Sequence, residues 1–263
     1  MTADFASQAG HWYAPDGTPR YTIIGANGKE RPTTLRDARK LGLLPSVTEI
    51  IKCAAKPGLE RWKERQVMLA ALTLPRLDGE DDESFCERVL TDSREQARKA
   101  AERGEALHAA LERHARGGEP YAAEWMPHVA AAIEELAKFG ISLTGNAPER
   151  SFGCAIGYGG KVDLHGADAT GRAFVIDFKS KDAITDKVDV YDEHGMQLSA
   201  YGMGLLLDRP RRLNVFVGVS DARCKVIEHP EDTAGKHWQM FLSLLTYWQA
   251  SRGYHPTAQA QAA

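Results

Sequence analysis

The stretch Ala173-Phe174-Val175-Ile176-Asp177-Phe178 constrains this chain more than any other. A short run of β-branched and aromatic residues reads as a strand buried on both faces, in the middle of a sheet. Such a strand needs neighbours on both edges and a layer on each face. This one also carries a carboxylate, and a carboxylate closing a buried strand is costly unless it is paired or metal-bound. Lys179 stands two residues after Asp177, so the period of two along a strand puts its ammonium on the same face.

The rest of the chain supplies what that strand requires. Two strands precede it, Glu149 to Ile156 and Tyr158 to Leu164, and two follow, Leu213 to Val219 and Cys224 to Glu228. Asp163 then stands at the end of one strand and Asp177 at the end of the next, with a turn around Asp168 to Gly171 between them. Met196 to Leu207 and Lys236 to Gln249 read as helices. The first half is mostly helical: Thr34 to Leu41 ended by Gly42, a start at Ser46 with Glu49 at capping-box spacing, Leu59 to Leu72, Ser93 to Arg116, and Ala122 to Phe139 closed by Gly140. Residues 73–85, rich in proline, glycine and acids, read as a loop. Residues 11–30 read as a β-hairpin turning at Pro15-Asp16-Gly17. The expected class is α/β, a mixed central sheet flanked by helices. The expected division is a hairpin and connecting segment over 1–45, a main domain over 46–255 (helical part 46–140, sheet core 141–255) and a frayed tail over 256–263.

With 43% hydrophobic and 26% charged residues the composition is that of a soluble globular chain. No apolar stretch reaches bilayer length, and the first ten residues lack a signal peptide's basic start and apolar run, so a cytoplasmic location is expected. The formal net charge of −3 offers no overall basic field, and any nucleic acid must be held by local patches. Cys53, Cys86, Cys154 and Cys224 form no C-x-x-C pair, which argues against a zinc ribbon and for reduced thiols.

Two carboxylates, Asp163 and Asp177, with the ammonium of Lys179 beside them suit a hard divalent cation and a water nucleophile. An acid-x-Lys triplet arises by chance roughly twice in a chain of average composition; its place at the end of a buried strand sets this one apart. Gly104-Glu105-Ala106-Leu107-His108 puts an imidazole on a long helix, with Glu112 one turn on along the same face. Gln197 and Tyr201 share a face of the helix after the central strand and can hold phosphate or sugar. Glu149 opens the first strand of the sheet and can approach the acids. Arg61, Trp62 and Lys63 mix cations with an aromatic ring, a combination that grips a single strand. Each feature also has a plainer reading. The triplet can be an ion pair, the His108 helix a charged surface, Glu149 a solvated strand-end acid, and Tyr201 or Trp62 core. Simple exposure suffices for His114 and for the cluster Arg209, Arg211 and Arg212, and His165 and His194 carry no assigned role despite lying near the acids.

Taken in order, Gly104-x-x-x-His108, Asp163, Asp177-x-Lys179 and Gln197-x-x-x-Tyr201 resemble the RecB-like branch of the PD-(D/E)XK nuclease superfamily over about residues 45 to 250. Pro45-Ser46-Val47-Thr48 and Leu59-Glu60-Arg61-Trp62-Lys63 are similar to segments of the mitochondrial genome maintenance exonuclease and of phage-encoded exonucleases. The resemblance implies a restriction-endonuclease-like sheet with a helical arch, and a Mg²⁺- or Mn²⁺-dependent deoxyribonuclease. Asp163, Asp177, His108 and the backbone carbonyl of Phe178 would hold the metal. Lys179 would orient the attacking water, and Gln197 and Tyr201 would hold the DNA strand. The implied substrate is single-stranded DNA with a free end, in recombination, replication or repair. The alternatives are a double-strand exonuclease that passes strands to an annealing or single-strand-binding protein, and a non-catalytic DNA-binding scaffold. Two departures stand out. Val162 replaces the proline that names the superfamily, and Cys224 is the only cysteine after Tyr201, so the iron–sulfur cluster of some relatives is not expected.

Overall fold

A computed structural model gives the arrangement of residues 10–118 and 120–256. Two small antiparallel ladders open the chain: β1 (Trp12–Tyr13) pairs with β4 (Leu44–Pro45), and β2 (Thr22–Ile24) pairs with β3 (Glu30–Pro32). The single hairpin expected over residues 11–30 is therefore two separate pairings. The turn after Tyr13 does close, through Ala14 N–H to the Thr18 carbonyl at 2.8 Å. Trp12, however, is buried against Trp248 and Tyr254, with ring centres 6.1 and 6.5 Å away. Burying an indole outweighs completing a local hairpin, so β1 is drawn into the main core.

Local caps set the helix ends. In α1 (Leu35–Leu41) Thr34 and Asp37 form a reciprocal capping box, and Gly42 closes the helix in the left-handed region. In α2 (Val47–Ile51) the Ser46 hydroxyl accepts from Glu49 N–H at 3.0 Å, while the Glu49 carboxylate goes to Lys52 instead of completing the box. Helix α3 (Pro57–Thr73) begins on a proline, and α4 (Asp82–Ala115) runs for 34 residues. Helix α4 starts well before Ser93, so the expected loop 73–85 is a loop only over 74–81. The acids that looked loop-like are its cap and first turn, where they complement the helix dipole: Asp81 accepts from Ser84 N–H at 2.7 Å, followed by Asp82 and Glu83. Helix α5 (Met126–Ala137) follows a 3₁₀ turn over Ala123–Trp125.

The second half is a five-stranded mixed sheet in the order β5-β6-β7-β8-β9. Its strands are β5 (Ala147–Cys154), β6 (Tyr158–Ala167), β7 (Ala173–Lys181), β8 (Arg211–Gly218) and β9 (Cys224–Glu228). The strand around Ile176 is the central one. The β7–β8 pair is parallel, joined by α6 (Asp192–Gly204), and the other pairs are antiparallel. Helix α7 (Ala234–Arg252) ends the described fold. Residues 257–263 of the expected tail lie outside the described residues, as do residues 1–9 and Glu119.

Helices cover both faces of the sheet. Along β7, Phe174, Ile176 and Phe178 enter a core with Leu107 and Leu111 of α4 and Val129 and Leu136 of α5. Val175 enters a second core with Ile50 of α2, Met196 of α6, Phe241 and Trp248 of α7, and Trp12. Among the described residues, no helix is long and apolar enough to cross a membrane. The four cysteines are free thiols.

Candidate active site

Asp163 and Asp177 lie inside their strands, not at the ends, and what ends between them is the ladder. Pairing of β6 with β7 runs from Ala167↔Ala173 to Leu164↔Ile176 and stops. The next residue on each strand is Asp163 and Asp177. Beyond them β6 continues with β5 and β7 with β8, so the sheet forks at the two carboxylates. The Asp163 carboxylate takes over a ladder position by accepting from Phe178 N–H at 2.7 Å.

Strand β6 is also irregular here. Its pairing with β5 holds at Pro148↔Leu164 and Arg150↔Val162 and skips the position between them, Glu149 opposite Asp163. Glu149 has φ +56°, a left-handed conformation costing a non-glycine residue of order 1 kcal/mol. Val162 and Leu164 face opposite cores although they are two apart, so β6 turns over at Asp163. Glu149 is thus mid-strand, with its carboxylate paired to Lys161.

The fork lets both faces of the sheet contribute. From the α4 side, His108 Nδ1 stands 3.9 Å from Asp163 Oδ2, its ring edge-on to Phe178. Gly104 permits this approach, because a Cβ there would lie 2.6 Å from the Ser180 hydroxyl on β7. From the α6 side come Gln197 and Tyr201. Lys179 Nζ lies 3.0 and 2.8 Å from the two Asp177 oxygens and 3.0 Å from Gln197 Oε1. Gln197 Nε2 donates to Asp177 Oδ1 at 2.7 Å and contacts the Tyr201 hydroxyl at 2.8 Å.

Burial raises the Asp163 carboxyl above its ordinary range, and the neighbouring charge of Asp177 adds to this. His108, Phe178 N–H and Lys179 pull the other way and do not cancel it. Burial would lower the Lys179 ammonium, but Asp177, then Asp163, outweigh it and hold it above its usual value. Lys179 is therefore a cation here, able to donate and to stabilise negative charge.

Two crowded carboxylates and one ammonium leave a negative charge, which fits a hard divalent cation in kind. Asp163, Asp177 and the His108 imidazole are the side chains that can reach it. Among the described residues, no three His, Cys, Asp or Glu side chains are drawn together closely enough to form a metal site as they stand. Lys179 now spans the Asp177 oxygens, and a cation would share that carboxylate with it.

Other residues singled out in the sequence fall elsewhere. The Glu112 carboxylate pairs with Arg116, one turn further along α4. Arg61, Trp62 and Lys63 lie on exposed α3, where Lys63 pairs with Glu60 at 3.3 Å and Arg61 reaches the Pro57 carbonyl at 3.4 Å. Trp62, 40% exposed, borders a cleft of about 600 Å³ whose lining includes Ser180, the residue after Lys179, but neither Asp163 nor Asp177. The cluster near residue 210 is no exposed patch: Arg211 is locked by Asp168 and Glu228, and Arg212 is buried. Two residues of the site were missed, Asn214 and His229. Asn214 Nδ2 donates to Asp177 Oδ2 at 2.8 Å, and His229 Nε2 lies 2.8 Å from Asn214 Oδ1. A sequence signal for Asn214 exists, an amide inside the apolar run Leu213 to Val219. None marks His229.

No protein-family model and no curated protein matches the chain. Among solved structures, the crystal structure of SSO0001 is similar over 72% of this chain and 87% of that one, at 14% identity and a TM-score of 0.34, too loose a likeness to bear on fold or chemistry.

Proposed function

We propose that this protein is a metal-dependent DNA exonuclease with a restriction-endonuclease-like core of the RecB-like PD-(D/E)XK type. The observation that carries the reading is the meeting of Asp163, Asp177 and Lys179 where the β6–β7 ladder ends. Asp163, Asp177, His108 and the Phe178 carbonyl would hold Mg²⁺ or Mn²⁺, which when bound neutralises a scissile phosphate and acidifies a water ligand. The Lys179 ammonium donates to the attacking water and to the phosphate oxygen where charge builds. Gln197, hydrogen-bonded to both Lys179 and Asp177, keeps the two in register, and Tyr201 braces Gln197. Water attacks phosphorus in line as the P–O3′ bond breaks, giving up its proton to solvent, and the 3′ oxygen takes a proton from solvent.

A cleft at the end of β7, one residue past Lys179, favours single-stranded DNA as substrate. About 600 Å³ lie between α3–α4 and the end of β7, bordered by Leu59, Trp62, Arg103, Ser180, Lys181 and Tyr191. Aromatic rings beside cations hold unpaired bases and their phosphates. Helix α3 packs along α4 and buries only Ala70, as suits an arm over a cleft.

End-labelled linear single strands, linear duplexes and closed single-stranded circles, each with Mg²⁺, Mn²⁺ or a chelator, test the reading. Cleavage of linear single strands that stops with chelator is expected, with the circle resistant. Purified folded protein that cuts none of the three with either metal overturns it.

A further inference from the structure

The contacts of Asp177 lead to a second pair of residues, whose role rests on the reading of Asp177 given above. Asn214 lies beside Asp177 in the parallel β7–β8 register and is wholly buried. A buried amide must satisfy both its ends. A carboxylate only accepts, so the NH₂ of Asn214 faces Asp177 and its carbonyl faces His229. A carbonyl also only accepts, so His229 Nε2 carries the hydrogen. Burial, and then the charges of Arg212 and His237, lower the His229 pKa to about 4, so near neutral pH the ring is uncharged and that single tautomer is set.

The other donors to Asp177 have work elsewhere in the site. Lys179 is needed by the substrate, and Gln197 follows Lys179. Asn214 is the donor anchored in the middle of a buried strand.

We propose that Asn214 and His229 are positioning residues for Asp177: His229 fixes which way the Asn214 amide faces, and Asn214 holds Oδ2 in place while Lys179 engages DNA. Neither touches substrate. Their effect passes through the orientation of one carboxylate, as outer partners of a metal-binding group act.

The test compares His229→Gln with His229→Asn. A glutamine amide nitrogen can stand where Nε2 stands, and the shorter asparagine cannot reach. Mn²⁺ binding is measured by calorimetry on the whole protein, alongside melting temperature and single-strand cleavage. His229→Asn should weaken Mn²⁺ binding about 10- to 100-fold, and His229→Gln should restore it to near wild type. Asn214→Ser, whose shorter side chain cannot bridge Asp177 and His229, should lose as much as His229→Asn and serves if that variant does not fold. Folded His229→Asn or Asn214→Ser protein with wild-type Mn²⁺ affinity overturns the inference, as does a Gln variant no better than the Asn one. Wild-type protein that neither binds Mn²⁺ nor cuts DNA removes the reading of Asp177 and this inference with it. A wild type that does both beside unaffected variants removes the inference alone.

Discussion

Asp177 is 3% exposed and receives hydrogen bonds from Lys179, Gln197 and Asn214. So many donors on one buried carboxylate offset the cost of burying it. Asp177→Ala and Lys179→Ala should both keep the fold, checked by circular dichroism, and lose single-strand cleavage. For Lys179→Ala the expected loss is about 100- to 1000-fold or more, and a folded Lys179→Ala protein cutting at the wild-type rate would contradict the role given to the ammonium. His108 stands on the opposite helix layer, beside Asp163. His108→Ala should therefore weaken Mn²⁺ binding in calorimetry by about tenfold without altering the Asp177 network; an unchanged affinity would put His108 outside the metal site.

At the scale of elements, the site depends on how closely α4 lies on β7. Gly104 sets that distance, since a methyl group there meets the Ser180 hydroxyl. Gly104→Ala should weaken Mn²⁺ binding by moving His108, while its overpacking cost in stability is offset by alanine's better helix propensity. Adding Ser180→Gly should recover the metal affinity, and a double variant as weak as the single one would refute the packing argument. Helix α3 makes the opposite case. Trp62 is largely free of the core, so Trp62→Ala should leave the melting temperature unchanged while weakening single-strand binding by about 1–3 kcal/mol, read by fluorescence anisotropy.

Across the whole molecule, acid stability should be governed in part by buried neutral imidazoles. His229 has a folded pKa of about 4 against an ordinary 6.5, through burial first and then Arg212 and His237. Between those values the unfolded chain binds the extra proton and the folded one does not, so stability rises with pH there. His229 thus costs nothing above about pH 7, and its destabilising effect grows as pH falls from about 6.5 towards 4, reaching about 3 kcal/mol at most. Urea unfolding at steps from pH 7 to 4.5 should show a steeper loss for wild type than for His229→Gln. Parallel slopes would mean that the imidazole titrates as it does unfolded.

Much of this architecture was legible in residue order, because alternation and apolar runs reflect local backbone geometry. The strand of Phe174, Val175 and Ile176 is central, α1 ends at Gly42, and the order of strands and helices after residue 147 is as read. Asp163, Asp177, Lys179, Gln197 and Tyr201 were visible because acids and amides are conspicuous within or beside apolar segments. Where β6 and β7 part company was not legible, since pairing ends through the left-handed Glu149 backbone and the turning over of β6 at Asp163, both responses to packing on two sides. The partner of Trp12, the start of α4 and the place of His229 were likewise settled by surfaces far apart in sequence. Periodicity along the chain determined which residues are strand, helix and candidate chemistry. Only folding decided which meet, because burial energy and hydrogen-bond satisfaction depend on neighbours that no local stretch of sequence specifies.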